Sequence, residues 1–224
     1  MDMNSNHLNA LLIFAKWPVP GKVKTRLAPP LATQEAVDLY RCMLLDTLES
    51  TATLSEVRRM IFFDGKSERS ADFRLLAPDA EVVMQEGTDL GERLSKAFDR
   101  AFAAGCSSVA IIGTDFPHMP VKRIEETFHL LNHNKADAVF GPSEDGGYYL
   151  VAMNKLHPGL FRDIPWSSPD TLARSLAKAA SLKLTAELLT PGFDLDTVGD
   201  LLRLKKETLP VAPRTLSFLS RIMP

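Results

Sequence analysis

Apolar residues in this chain follow two rhythms that take turns for most of its length. Short apolar-rich runs recur at residues 8–16, 59–63, 81–85, 109–113, 136–140 and 148–153, and a further extended segment is expected at 182–189. Runs of this length and character suit strands buried on both faces of a parallel sheet. Between them the apolar positions fall three and four apart: Val37, Tyr40, Leu44 and Leu48 in one segment, Leu94, Ala97, Phe98, Ala101 and Phe102 in another. That spacing lays an apolar stripe along a helix. Helices are expected at 33–50, 67–76, 121–132, 169–180 and 198 to about 208, with another that starts at Leu90 and is stopped by Gly105. No Pro/Gly/Ser linker long enough to divide domains interrupts the alternation, and no internal repeat is visible. The pattern predicts one three-layer α/β/α domain over residues 1–224, with a mainly parallel sheet whose carboxyl ends open on one cleft.

Composition narrows the function classes. The 224 residues are 45% hydrophobic and 24% charged, with a net charge of −2, so no global basic field favours nucleic acid. No apolar run approaches the ~20 residues that span a bilayer. The start, MDMNSNHLNA, lacks the basic and apolar regions of a signal peptide, and a cytoplasmic location is expected. Cys42 and Cys106 form no CxxC and read as free buried thiols in a reducing compartment. The five histidines make no HExxH or Cys/His cluster, and GxSxG, Walker and GxGxxG motifs are all missing.

The candidate chemistry sits where strands end. Thr114 and Asp115 follow the run 109–113, and Pro117 and Pro120 turn the chain away from further pairing. A carboxylate there is placed to hold a divalent metal on phosphate oxygens, or else to cap the helix that follows. After the first strand, Lys16, Lys22, Lys24 and Arg26 fall within one loop that Gly21 and the prolines let turn sharply. Such cations suit a di- or triphosphate, or form a solvated surface loop. The loop QEGTDLGERL offers Gln85, Gly87, Asp89, Gly91 and Arg93, with Asp89 also a candidate helix cap. In SEDGGYYL, Glu144 and Asp145 precede Gly146 and Gly147, which reads as a carboxylate beside a small-residue platform or as a hairpin turn. Asp194 and Asp196 in FDLDT share one face of an extended segment; one can complete a metal site with Asp115, the other cap the next helix.

FAKWPVPGKVKTRL, QEGTDLGERL, IIGTDFP, EDGGYYL, PWSSPDTL and DLDTVGDL, taken together and in this order, resemble a bacterial family of small GT-A-fold proteins over residues 11–204. These are the radical-SAM/selenodomain-associated glycosyltransferases, or nucleotide-diphospho-sugar transferases of uncharacterised function. The chain is similar, more distantly, to the guanylyltransferases of molybdopterin and phospholactate, which share the D-x-D-T ending. The resemblance implies a GT-A-type fold in which Lys16, Lys22, Lys24 and Arg26 face the phosphates of a nucleotide, with Gly21, Gln85, Gly87, Asp89, Arg93 and Thr114 the further candidate contacts from the loops read above. Gly146, Gly147 and Tyr148 would face the transferred group, and Asp115 with Asp194 or Asp196 would hold Mg²⁺ or Mn²⁺. Asp145, then Glu144, is the expected acceptor-activating carboxylate. The first expected function is metal-dependent glycosyl transfer from a nucleotide-diphosphate sugar to a small acceptor. The alternative is nucleotidyl transfer from a nucleoside triphosphate to a phosphorylated small molecule. A third reading is a nucleotide-binding module without catalysis, against which the acids argue.

Overall fold

The computed structural model describes residues 8–207 and 211–223. The first seven residues, which carry His7 and most of the segment read above for a signal peptide, lie outside the described residues, as does Thr208 at the end of the expected helix from Val198. Seven strands run β1 (Asn9–Lys16), β2 (Val57–Asp64), β3 (Glu81–Met84), β4 (Ser108–Ile112), β5 (Ala138–Pro142), β6 (Tyr148–Met153) and β7 (Ala186–Leu188). The helices are α1 (Thr33–Thr51), α2 (Arg69–Leu76), α3 (Leu90–Ala103), α4 (Lys122–Asn132), α5 (Thr171–Ser181), α6 (Val198–Leu204) and α7 (Pro213–Ile222). One sheet holds the strands in the order β3-β2-β1-β4-β6-β5-β7. Only β6 runs antiparallel to its neighbours, β4 and β5.

The side-chain period of two divides each central strand between two cores. Leu11, Ile13, Ile61, Phe63, Ala110 and Ile112 face Leu44, Leu48, Phe73, Ile124 and Phe128 from α1, α2 and α4. Leu12, Met60, Phe62, Val109, Ile111 and Val151 face Leu94, Phe98, Ala101 and Ala179 from α3 and α5. Each Leu, Ile or Phe buried in this way contributes roughly 1.5–3 kcal/mol of transfer free energy. α3 starts where its sequence predicts, because the Asp89 carboxylate accepts the Glu92 amide at 2.8 Å.

A third cluster positions the site. Leu27, just after the basic loop, packs with Leu39 and Met43 of α1, with Phe193 and Leu195, with Leu201 and Leu204 of α6, and with Phe218 and Leu219 of α7. Because Phe193 and Leu195 are buried, the alternating Asp194 and Asp196 are turned the other way. The pattern did not predict α7. Its amino-terminal turn docks on the buried Asp46 of α1, which accepts the Arg214 and Thr215 amides and the Thr215 hydroxyl. The last strand is shorter than the expected 182–189. α5 runs on to Ser181, Leu182 still donates to the Lys178 carbonyl, and Lys183 turns the chain at φ 59°.

Candidate functional site

The carboxyl ends of β1, β2 and β4 open on a cleft of about 570 Å³ that also takes Tyr148–Val151 of β6 as part of its wall. Lys24 stands at its centre. Its backbone is left-handed, at φ 45° and ψ 39°, a conformation that costs a non-glycine residue about 1 kcal/mol or more. The ammonium donates to Asp115 Oδ1 at 2.6 Å and to Asp196 Oδ1 at 2.8 Å, and the Lys24 side chain is 3% exposed. Arg26, 75% exposed, lies 3.5 Å from the other Asp196 oxygen. Burial alone would lower the Lys24 pKa, but the two carboxylates outweigh it and hold the group up at about 12.

The acids are brought together by backbone. Leu195 N–H donates to the Asp115 carbonyl at 2.8 Å, which stitches the FDLDT segment to the end of β4. Neither Asp194 nor Asp196 caps α6. Thr197 does so, in a reciprocal pair with Asp200 that satisfies both amides. Asp115 does not cap α4 either, since that helix begins seven residues later with Val121 at its N-cap. The half-buried Asp194 accepts from the Ser143 hydroxyl at 3.1 Å. Burial, then the charge of Asp115, pushes its carboxyl up to about 7. Tyr40 ties the floor together: its hydroxyl accepts from the Lys16 amide at 2.9 Å and from the Thr114 hydroxyl at 3.0 Å.

The other expected site residues divide. Lys16, Lys22, Lys24, Arg26, Gln85, Arg93, Thr114 and Tyr148 line the cleft together with Asp115 and Asp196. Gln85 donates to the Phe62 carbonyl, while Arg93 bonds Gln85 and the Gly87 carbonyl and pairs with Asp64 at 3.2 Å. Gly21, Gly87, Asp89, Gly146, Gly147 and Asp194 are not among the lining residues. Glu144 and Asp145 are not either. Glu144 is gripped by both terminal nitrogens of Arg203, at 2.6 and 2.9 Å, and Asp145 Oδ1 accepts the Gly147 amide at 2.9 Å. Their segment closes the β5–β6 hairpin, with Ser143 and Gly147 paired across it.

Sequence reasoning missed Tyr40, Asp64 and Ser167, all of which line the cleft. Tyr40 read as one apolar position of a helix and Asp64 as the stop of a strand. Their polar ends find partners 74 and 29 residues away in sequence, Thr114 and Arg93. Pattern carries no signal at that distance.

Asp115 and Asp196, both bonded to the buried Lys24 ammonium, and Asp194, bonded to Ser143, offer oxygen donors only, which is the kind that hard divalent ions prefer. Among the described residues no three acidic, His or Cys side chains already converge in metal-ligating geometry. In the structure the Lys24 ammonium is the cation between Asp115 and Asp196. The raised Asp194 pKa reflects burial first and the charge of Asp115 second.

A seven-stranded, mainly parallel sheet with acids and cations gathered at its carboxyl edge defines a nucleotide-diphospho-sugar-transferase type of α/β protein. The chain belongs to the bacterial family described as "Uncharacterized protein conserved in bacteria (DUF2064)", whose model matches residues 47–168. It is 31% identical to a protein from Desulfovibrio desulfuricans described provisionally as a nucleotide-diphospho-sugar transferase. That structure superposes with a TM-score of 0.88, over 96% of this chain and 95% of the other. A phosphoenolpyruvate guanylyltransferase from Mycobacterium leprae is 24% identical over 189 residues, 80% of each chain. The 4-diphosphocytidyl-2C-methyl-D-erythritol synthase of Anaerococcus prevotii, at 10% identity, shares the fold with a TM-score of 0.59, over 96% of this chain and 97% of that one.

Proposed function

We propose that the protein is a nucleotidyltransferase, joining a nucleoside triphosphate to a small phosphorylated acid with release of pyrophosphate. One observation carries the choice. Each acid lining the cleft is already held by a cation: Asp64 by Arg93, Asp115 by Lys24, and Asp196 by Lys24 and Arg26. Glu144 and Asp145, expected to activate an acceptor, are engaged outside it. A cleft lined by no unpaired carboxylate suits a nucleophile that is ionised before it arrives; Asp194, bonded to the Ser143 hydroxyl and with its pKa raised to about 7, is not a lining residue. A phosphate oxygen of the acid attacks the α-phosphorus, the bond from the α-phosphorus to the bridging oxygen breaks, and pyrophosphate departs with the electron pair. No proton need be removed.

Lys16, Lys22 and Arg26 at the cleft offer the charge that a triphosphate requires, and Lys24 sits within reach of the same space. Lys and Arg aimed at the departing charge stabilise the transition state more than the ground state. Asp115, with Asp194 and Asp196, would hold Mg²⁺ or Mn²⁺, which when bound neutralises phosphate oxygens. The guanylyltransferase likeness supports this reading. Glycosyl transfer from a nucleotide sugar stays as the second reading, because the 31% identical structure is described in those terms.

The test is product analysis with the four nucleoside triphosphates, a panel of nucleotide sugars and a set of small phosphorylated acids, with and without Mn²⁺. Pyrophosphate released only when a triphosphate and a phosphorylated acid are both present is the expected result. Nucleoside diphosphate released from a nucleotide sugar would replace the first reading by the second.

A further inference from the structure

The segment PWSSPDTL, which the charged side of the cleft does not use, is packed on two sides. Trp166 packs against Phe161 and edge-on against Tyr148, with centroids 6.5 and 6.4 Å apart. Its indole lies so close to Gly91 that a Cβ there would stand 3.0 Å from Nε1 and 2.8 Å from the Phe161 carbonyl. On its other side the segment presses on the β5–β6 hairpin. Gly146, at φ 89°, has no room for a Cβ, which would overlap the Pro169 carbonyl. Leu172 N–H donates to the Gly146 carbonyl at 2.9 Å. Two glycines from two separate motifs thus make room for one loop. The Thr171 hydroxyl is shared between the Pro165 and Ser168 carbonyls, and the Ser168 hydroxyl accepts the Asp170 amide. None of these bonds uses the Ser167 hydroxyl.

Ser167 is the residue this clamp presents. It is exposed, it lines the cleft, and its φ of 58° is left-handed, a conformation serine adopts only when its surroundings impose it. The other hydroxyls of the cleft wall are differently placed. Thr114 donates to Tyr40, whose hydroxyl also accepts the Lys16 amide; Tyr149 donates to the Thr190 carbonyl, the Tyr148 hydroxyl is buried, and Thr25 belongs to the basic loop. We propose that Ser167 is a specificity-determining contact for the second substrate, its hydroxyl donating to an anionic oxygen of a small phosphorylated carboxylic acid. This rests on the nucleotidyltransferase reading for the class of that substrate. That Ser167 lines the cleft stands without it.

The experiment compares the parent with Ser167→Ala, Ser167→Gly and Ser167→Asn. Glycine accepts the left-handed backbone without strain, and asparagine both tolerates it and restores a donor. With the nucleoside triphosphate that the parent uses and phosphoenolpyruvate as the acid, the KM for the acid should rise about tenfold in Ala and Gly, the scale of one lost hydrogen bond to a charged group. The KM for the nucleotide should stay unchanged, and Asn should recover part of the loss. An equal rise in the nucleotide KM, or no change in either, would overturn the proposal. If the parent turns over no phosphorylated acid, the transferase reading loses its acceptor class, and Ser167 is judged by binding instead. Inorganic phosphate is then titrated into nucleotide-saturated protein and followed by amide NMR. Saturable shifts at Ser167 and Ser168 that vanish in Ser167→Ala support the contact; a parent without such shifts refutes it.

Discussion

The two walls of the cleft are built on opposite principles. The wall around Lys24 is held by charge: one ammonium, two carboxylates within 2.8 Å and a third whose pKa is pushed up to about 7. The wall around Ser167 is held by shape, with glycines at 91 and 146 packed against Trp166 and Pro169. A charge-held wall can rearrange when a stronger ligand competes for its charges, because each ion pair is exchangeable. A shape-held wall cannot do so without overlap of atoms, since packed interiors do not deform continuously. The contrast suits a site in which one side must accept a polyphosphate and its metal while the other keeps a fixed geometry for a small partner.

The largest effect is expected from the shape-held wall. Gly146→Ala adds a Cβ where the Pro169 backbone already lies, at a φ of 89°. The loss of stability should be on the order of 3 kcal/mol or more, read from chemical denaturation. Were Gly146 a platform for a ligand rather than a packing point, the variant would keep its stability and lose only binding. That outcome would erase the difference between the walls.

Next comes Lys24→Met, which keeps the length of the side chain and removes its charge. Asp115 and Asp196 then lose their counter-ion. Breaking a pair of this kind costs about 3 kcal/mol when fully buried, and less here because Asp115 is 51% exposed. On the proposed metal site, Mn²⁺ should restore much of the loss, and the variant should bind Mn²⁺ more tightly than the parent in the absence of nucleotide. Denaturation with and without Mn²⁺, and Mn²⁺ titration by electron paramagnetic resonance, measure both. A Lys24→Met protein indifferent to Mn²⁺ would show that the acids do not form a metal site.

Asp194 gives the charge-held wall a pH signature. Its folded pKa, about 7, lies above the unfolded value of 3.8, so the folded state binds the extra proton between them. The stabilising contribution is therefore full below pH 3.8 and is lost as pH rises through 7. Asp194→Asn should raise stability above neutral pH by roughly 2 kcal/mol after allowance for screening, and flatten the fall between about pH 4 and 7. Thermal melts across that range test it. An unchanged pH profile would mean that Asp194 is ionised in the folded protein, its burial and the charge of Asp115 being compensated.

The same contrast explains what the sequence made legible. The strands were readable because Val109–Ile112 and Leu11–Ile13 are buried on both faces and so must be continuously apolar. Lys24, Asp115 and Asp196 were readable as candidates because Lys24 falls in a cluster of cations after the first strand, Asp115 follows the 109–113 run, and Asp194 and Asp196 alternate in FDLDT. That they touch was not, since the Lys24–Asp196 contact spans 172 residues and depends on Leu27, Phe193 and Leu195 sharing one apolar cluster. The glycines misled in part. Gly146 looks like a ligand platform in sequence because a close approach of backbone to ligand and one of backbone to backbone call for the same residue. Ser167 gave no sign at all, as a strained φ leaves no mark on composition or periodicity.

The smallest expected effect separates the two readings of the chemistry. Glu144 is paired with Arg203 on the surface, where both side chains are about half exposed and Arg203 also lies 3.9 Å over the Phe193 ring. An exposed pair of this kind is screened and contributes within about 0.5 kcal/mol, so Glu144→Gln should barely move the melting temperature. Its effect on turnover is the sharper measure. If the nucleophile arrives ionised, no carboxylate is required to take a proton, and kcat should remain near that of the parent across pH 6–9. If the protein instead transfers a sugar to a hydroxyl, an acceptor base is required, and the hairpin acids are the expected source. Removing a general base costs about 10²–10⁴ in rate, so a drop of that size in Glu144→Gln or Asp145→Asn, with the nucleotide KM unchanged, would restore glycosyl transfer as the first reading. It would also require Arg203 to release Glu144 during turnover, making the hairpin end of the cleft the moving part and breaking the comparison of a rearranging wall with a fixed one.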